Sequence, residues 1–367
     1  MRERITPHQF MMLGAAVLMG TTFFPIAQIA TGVSGRDAWL AVLPAYALGV
    51  PLGLLALGMA QDYPGQNLLQ ISAALLGKWP AKLIGLGYLL IGTYFGALLL
   101  AQVEDTFKRS ILPLTPSAVF LGGMLLMVFF LVWAGIEVFA RFSEAVFPLI
   151  VLGLIANMLL VLPRFEWEEF YPLLENGIAP VFPGIVKIAP FACEYALFVA
   201  GLLAYLPQDA QERRRLRPGV WRAVLVVGIL NTLLTLAEIL IFGPAEAKRI
   251  NYGLLALGKL VEVAKTIAGV ESIFMLVWMG AMITKIAALF FIAVWGLRFV
   301  FGLAAKARWY LALAAVFFAI AWSVKGPLFL IEISFVDDYI ILPFALTWFA
   351  VLGGKWYWQK RRGKVRA

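Results

Sequence analysis

Ten apolar stretches run the length of this chain, most of them long enough to cross a lipid bilayer, and they constrain everything else. They cover about 8–30, 38–60, 82–105, 117–136, 142–162, 181–206, 221–243, 271–297, 309–324 and 338–358. A helix needs about 20 apolar residues, at 1.5 Å rise each, to cross about 30 Å of hydrocarbon. Lipid offers the backbone no hydrogen bonds, so spanning segments are helices or strands of a closed barrel. These runs are too long for barrel strands. The expectation is an all-α integral membrane protein with ten transmembrane helices. Composition agrees, because 62% of the 367 residues are hydrophobic and 14% charged, against about 25% charged in a soluble domain. A soluble enzyme, a disordered chain and a nucleic-acid-binding domain are excluded on that ground.

An even number of spans puts both termini on one side. With the N-terminus in the cytoplasm, nineteen of the 30 Lys and Arg residues fall in the inner segments. They include Arg2, Arg4, the run Arg213-Arg214-Arg215-Leu216-Arg217, and the C-terminal cluster from Lys355 to Arg366. Cytoplasmic loops collect basic residues, so both termini are expected inside. The net charge of +9 is then a loop anchor and not a nucleic-acid footprint. The first run is read as a span, not as a cleaved leader. Of the outer loops, 163–180 carries Trp167, Phe170 and Tyr171 among acids and is expected to lie at the interface. Residues 246–267 place Leu254, Leu257, Leu260, Val261 and Val263 among charges, a pattern for a short amphipathic helix capping the outside.

Catalytic and metal chemistry have little to draw on. Cys193 is the one cysteine and His8 the one histidine, so no zinc spacing or Ser/His pair exists. No cofactor and no enzymatic activity are expected. The informative features are places where a span should break. Leu18-Met19-Gly20-Thr21-Thr22-Phe23-Phe24-Pro25 sets a Gly, two Thr and a Pro in mid-span. Pro190 interrupts span 6, and Glu194 follows four residues later. Either site is a packing kink or a discontinuous helix whose freed backbone groups hold a substrate. Spans 1 and 6 open the two five-helix halves, about 8–162 and 181–358. Five is odd, so the second half inserts upside down relative to the first, as in an inverted repeat.

Ionisable side chains inside the membrane form the second informative set, since each costs about 2.5–3.5 kcal/mol on insertion scales. Lys285 lies near the middle of span 8, directly after Thr284. It requires a carboxylate, carbonyls or water beside it. Glu194 sits at the span 6 break. Glu104 and Glu238 lie nearer the outer ends of spans 3 and 7. Each either snorkels to the interface or serves a buried site; for Glu104 and Lys285 that role is a proton or water path or a charge network.

The opening Ile5-Thr6-Pro7-His8-Gln9, then Gly20-Thr21 and Pro25, then Gly35-Arg36-Asp37-Ala38-Trp39, resembles the B-subunits of bacterial spore germination receptors. These are the endospore germination permeases of the amino acid–polyamine–organocation transporter superfamily. Phe191-Ala192-Cys193-Glu194 is similar to that family's span 6 element, with Cys193 where the family often has Gly. The resemblance implies a LeuT-like 5+5 inverted repeat with broken helices 1 and 6. It implies a small germinant, typically an amino acid, bound between spans 1, 3, 6 and 8. It further implies A and C partner subunits in the inner membrane of an endospore-forming bacterium. Carried onto this chain, the pocket comprises Gly20, Thr21, Thr22, Leu100, Phe191, Glu194, Leu197 and Thr284. Sodium-coupled members of this fold hold their cation between spans 1 and 8, where Lys285 is expected here. A proton-coupled amino-acid transporter using the same pocket is the alternative reading.

Overall fold

A computed structural model describes residues 4–20, 25–110, 112–207, 209–260, 270–324 and 328–362. The regular elements among them are all helical: α1 (Pro7–Met19), α2 (Ile26–Ser34), α3 (Trp39–Ala47), α4 (Gly49–Asp62), α5 (Leu68–Leu76), α6 (Lys78–Ser110), α7 (Ser117–Trp133), α8 (Ile136–Val161), α9 (Val181–Leu202), α10 (Ala210–Ala247), α11 (Gly253–Lys259), α12 (Val270–Phe301), α13 (Ala307–Ser323), α14 (Leu328–Val336) and α15 (Leu342–Arg361). Seven helical stretches among the described residues are long and apolar enough to cross a membrane, and α7 and α13 are shorter apolar helices. The first of the seven, Ile26–Asp62, contains α2, α3 and α4, and α1 (Pro7–Met19) precedes it.

The Ile5-Thr6-Pro7-His8-Gln9 element is a helix start. Thr6 Oγ accepts from the Gln9 amide at 3.1 Å, and Gln9 Oε1 accepts from the Thr6 amide at 3.0 Å. Pro7 at the first helical position gives up an amide that would have no partner there. Gln9 also donates to Glu144 of α8 at 3.1 Å, and the Ile5 amide donates to the Tyr205 carbonyl at 3.1 Å. The start of α1 is thereby fixed against α8 and the end of α9.

Small residues let the central helices touch through their backbones. A Cβ on Gly92 of α6 would lie 2.5 Å from the Leu289 carbonyl oxygen of α12. One on Gly296 of α12 would lie 2.4 Å from the Gly85 oxygen of α6. Seven residues separate Gly85 from Gly92 and Leu289 from Gly296, so each pair recurs on one helix face. Close approach of this kind replaces the hydrophobic drive that lipid cannot supply between helices.

Three sequence expectations are refined. Span 6 is not interrupted: α9 is helical throughout, with Pro190 inside it. The missing Pro190 amide costs one ladder bond, which a closely packed, buried helix tolerates. Span 10 begins earlier than 338, because α14 leads into α15 through a π-helical turn at Asp337–Ile341. Pro343 in the first turn of α15 has no amide to donate, which fits a widened ladder just before it. The helix expected within 246–267 is α11, with Leu254 and Leu257 buried, whereas Val261 and Val263 lie outside the described residues. The 163–180 loop carries two short 3-10 turns, Leu162–Arg164 at its start and Trp167–Phe170, with Trp167 and Tyr171 exposed.

That loop is held down by the Gly35-Arg36-Asp37-Ala38-Trp39 element. Gly35 turns the chain with φ +61°, a conformation open to glycine. Arg36 pairs with Glu169 at 3.2 Å and donates to the Tyr171 carbonyl. Asp37 Oδ1 accepts from the Leu174 amide at 3.0 Å, and the Trp39 ring lies 6.0 Å from Phe170. Ser34 closes the set by donating to the Pro180 carbonyl at 2.7 Å. At the other end of the bundle, Asp62 accepts from Trp356 at 2.7 Å and pairs with Lys360 at 3.0 Å, tying α4 to α15.

Candidate binding site

Helix α1 ends at Met19 and Gly20 follows it; the next described helix, α2, begins at Ile26. Gly20 has no side chain because Lys285 fills that space. A Cβ on Gly20 would lie 2.6 Å from Lys285 Cβ and 2.8 Å from its Cδ. The aliphatic stem of Lys285 therefore lies across the end of α1, and spans 1 and 8 meet where the sequence places a break.

From there the ammonium reaches Glu194 of α9, with Nζ 2.6 Å from Oε2. The two side chains are 1% and 6% exposed. The rings of Phe95 on α6 and Phe191 on α9 each have their centroid 5.8 Å from Nζ. Desolvating a lone ammonium is prohibitive, so the carboxylate and the two ring faces make its burial tolerable. A carboxylate, among the neighbours expected for Lys285, is found beside it.

A third ionisable group joins them. Asp337, in the π-helical turn, is 4% exposed and lies within electrostatic reach of Glu194 and Lys285. Glu194 Oε1 and Asp337 Oδ1 are buried without a hydrogen-bond partner. The adjacent Asp338 pairs with Lys187, two turns before Glu194 on α9, at 2.5 Å. The π-turn is thus joined to α9 at two levels. Asp337 was not anticipated, since Glu332, Asp337 and Asp338 within seven residues look like an outer loop. The signal present was the apolar residues on both sides and Pro343 just beyond.

The other expected pocket residues divide as follows. Phe191 and Glu194 meet Lys285 directly, and Gly20 packs on its stem. Thr284 is buried and donates to the Gly280 carbonyl at 2.9 Å, leaving its oxygen able to accept. Leu197 is buried one turn past Glu194, its carbonyl accepting from Tyr88 at 3.1 Å. Leu100 is buried on α6. Thr21 and Thr22 lie outside the described residues. Glu104 pairs with Lys108, one turn along α6, at 3.7 Å. Glu238 is buried rather than snorkelling, with Gly253 of α11 packed against its carboxyl group. Cys193 is buried as a free thiol. No group of three His, Cys, Asp or Glu side chains among the described residues could hold a metal.

Comparison with solved structures shows the fold. MhsT, in complex with L-phenylalanine, matches with a TM-score of 0.66 at 14% identity, covering 94% of this chain and 88% of its own. Mhp1, a nucleobase-cation-symport-1 family transporter in a closed conformation with bromovinylhydantoin bound, matches with a TM-score of 0.71 at 15% identity, covering 98% and 80%. The arrangement is a LeuT-like membrane fold. Among sequences, spore germination protein YndE of Bacillus subtilis (strain 168) is 26% identical over 58% of this chain and 56% of its own length. Spore germination protein KB of the same organism is 26% identical over 66% and 65%. The matched region spans between half and two thirds of these two relatives. The profile of the family described as spore germination protein covers residues 4–328. With that match across nearly the whole chain, the protein belongs to the spore germination protein family of membrane permeases.

Proposed function

We propose that this chain is the nutrient-sensing transmembrane subunit of a spore germination receptor, and that it binds a small germinant, an amino acid, beside the Lys285–Glu194 pair. The observation that carries this reading is that pair, buried where α1 ends and flanked by Phe95 and Phe191. A LeuT-like bundle with two inverted five-helix halves, about 8–162 and 181–358, supplies the frame. Backbone groups freed near Gly20, Thr21 and Thr22 would receive the ligand carboxylate, at the positive end of a half-helix. Leu100, Phe191 and Leu197 would wall its side chain, and Thr284 would accept a hydrogen bond. A and C partner subunits would carry the signal onward from the inner membrane of the spore. Both termini would face the cytoplasm, as the basic loops indicate.

Lys285 acts in this reading as a resident cation in place of sodium. Its ammonium already neutralises Glu194, so ligand binding proceeds equally well in sodium and in choline buffers. Binding that requires sodium would contradict the assignment. Glu104, nearer the outer end of span 3, would line a separate water path. Glu104→Gln then slows spore hydration while ligand binding is retained.

A second reading, proton-coupled amino-acid transport through the same pocket, is favoured by the buried carboxyl groups beside Lys285. Uptake of a labelled amino-acid panel by proteoliposomes separates the two, with binding of the same panel in detergent as control. Binding without uptake supports a sensor. Concentrative uptake driven by a pH gradient supports a transporter. Neither binding nor uptake contradicts both.

A further inference from the structure

Three ionisable side chains from three helices meet in the interior: Lys285 of α12, Glu194 of α9, and Asp337 between α14 and α15. Cys193 and Asp338 are the other titratable groups within electrostatic reach among the described residues, and Asp338 is neutralised by Lys187. The gathering is electrically neutral only when the two carboxyl groups together carry one negative charge against the Lys285 ammonium. One proton between Glu194 and Asp337 meets that condition. Two acceptor oxygens remain unused, Glu194 Oε1 and Asp337 Oδ1, both buried.

We propose that this carboxyl pair is the receptor for the ligand's ammonium group, and that the ammonium displaces the shared proton. The inference rests on the reading of this site as an amino-acid pocket and adds a residue, Asp337, and a proton to it. Before binding, Lys285 carries +1 and the protonated pair −1. After binding, Lys285 and the ligand ammonium carry +2, and the two ionised carboxylates −2. One proton leaves for bulk solvent, and no net charge enters the low-dielectric interior, where an unbalanced one is costly. The unused oxygens become acceptors for the ammonium N–H donors, which removes the penalty of leaving them unbonded. A ligand lacking a protonated amine offers no such exchange.

The test uses the full chain in lipid nanodiscs. The twenty protein amino acids are screened by thermal shift, and the one that stabilises most is titrated calorimetrically in two buffers of different ionisation enthalpy. One proton released per ligand is expected, with affinity rising tenfold per pH unit while the pair holds its proton. Infrared difference spectra of the same titration should lose a protonated-carboxyl band. In Asp337→Asn proton release disappears, and binding weakens at least tenfold. Wild-type binding with no proton release and no infrared change would overturn the proposal and leave the pocket reading intact. No stabilisation by any amino acid would overturn the pocket reading and the proposal with it. Should the variant fail to fold, proton release and the infrared band of the wild-type chain still decide.

Discussion

Lys285 and Glu194 meet at 2.6 Å with side chains 1% and 6% exposed, whereas Arg36 and Glu169 meet at 3.2 Å with side chains 28% and 31% exposed. Both join a basic to an acidic side chain across different helices or loops. Their surroundings give them opposite consequences. The rim pair keeps water, and its worth is bounded by screening and side-chain entropy. It acts with Asp37, Trp39 and Ser34 as one of several fastenings for the 163–180 loop. The interior pair has lost its water, so each partner depends on the other. A pair of that kind gives little net stability, but its loss on one side is severe. It also fixes where charge can sit, which is what a site for a charged ligand requires.

Breaking the interior pair from one side is expected to have the largest effect. Glu194→Gln leaves the Lys285 ammonium facing a neutral amide and should cost about 3–5 kcal/mol, read from unfolding in detergent. Adding Lys285→Met should restore most of it, because the stranded charge is gone. A double variant no more stable than the single one would show that the two side chains are not coupled. Gly20→Ala comes next. The new methyl would lie 2.6 Å from Lys285 Cβ and should cost about 1–3 kcal/mol by overpacking. It should also weaken ligand binding, since the Lys285 stem must move. Unchanged stability and binding would mean that α1 does not press on Lys285.

How far this contrast was readable beforehand depends on the kind of information involved. Apolar runs announce spans, so the all-helical membrane fold and the position of Lys285 and Glu194 within it followed from the chain. Burial of a charge announces that a partner exists without saying which. Glu194 became that partner only when packing placed α9 beside α12. Asp337 was hidden because three acids within seven residues read as a solvated loop. The π-turn that carries it inward depends on local ladder geometry that no residue pattern states directly. Pro190 misled in the other direction: a proline shows where a ladder bond is missing, not whether packing bridges the gap. Gly35-Arg36-Asp37-Ala38-Trp39 was visible as a motif, but its contacts with Glu169, Tyr171, Leu174 and Phe170 lie more than 130 residues away in sequence.

Two smaller perturbations sharpen the other side of the comparison. Arg36→Ala should lower stability by no more than about 1 kcal/mol through the ion pair, with the loss shrinking in high salt. Protease nicking within 163–180 should accelerate, because the loop loses its tie to Glu169 and Tyr171. A salt-independent loss of several kcal/mol would place this pair with the interior one. Glu104→Gln should do least. Its partner Lys108 lies at 3.7 Å with its side chain 44% exposed, so about 0.5 kcal/mol is the upper bound expected from thermal unfolding.

The most direct measurement is equilibrium binding of a labelled amino-acid panel to the full chain in nanodiscs, for the wild type, Glu194→Gln and Arg36→Ala side by side. The interior site predicts saturable binding that weakens at least tenfold, about 1.4 kcal/mol, in Glu194→Gln and stays within about twofold of wild type in Arg36→Ala. Binding that survives Glu194→Gln unchanged, in a folded protein, would contradict a ligand site at the Lys285–Glu194 pair.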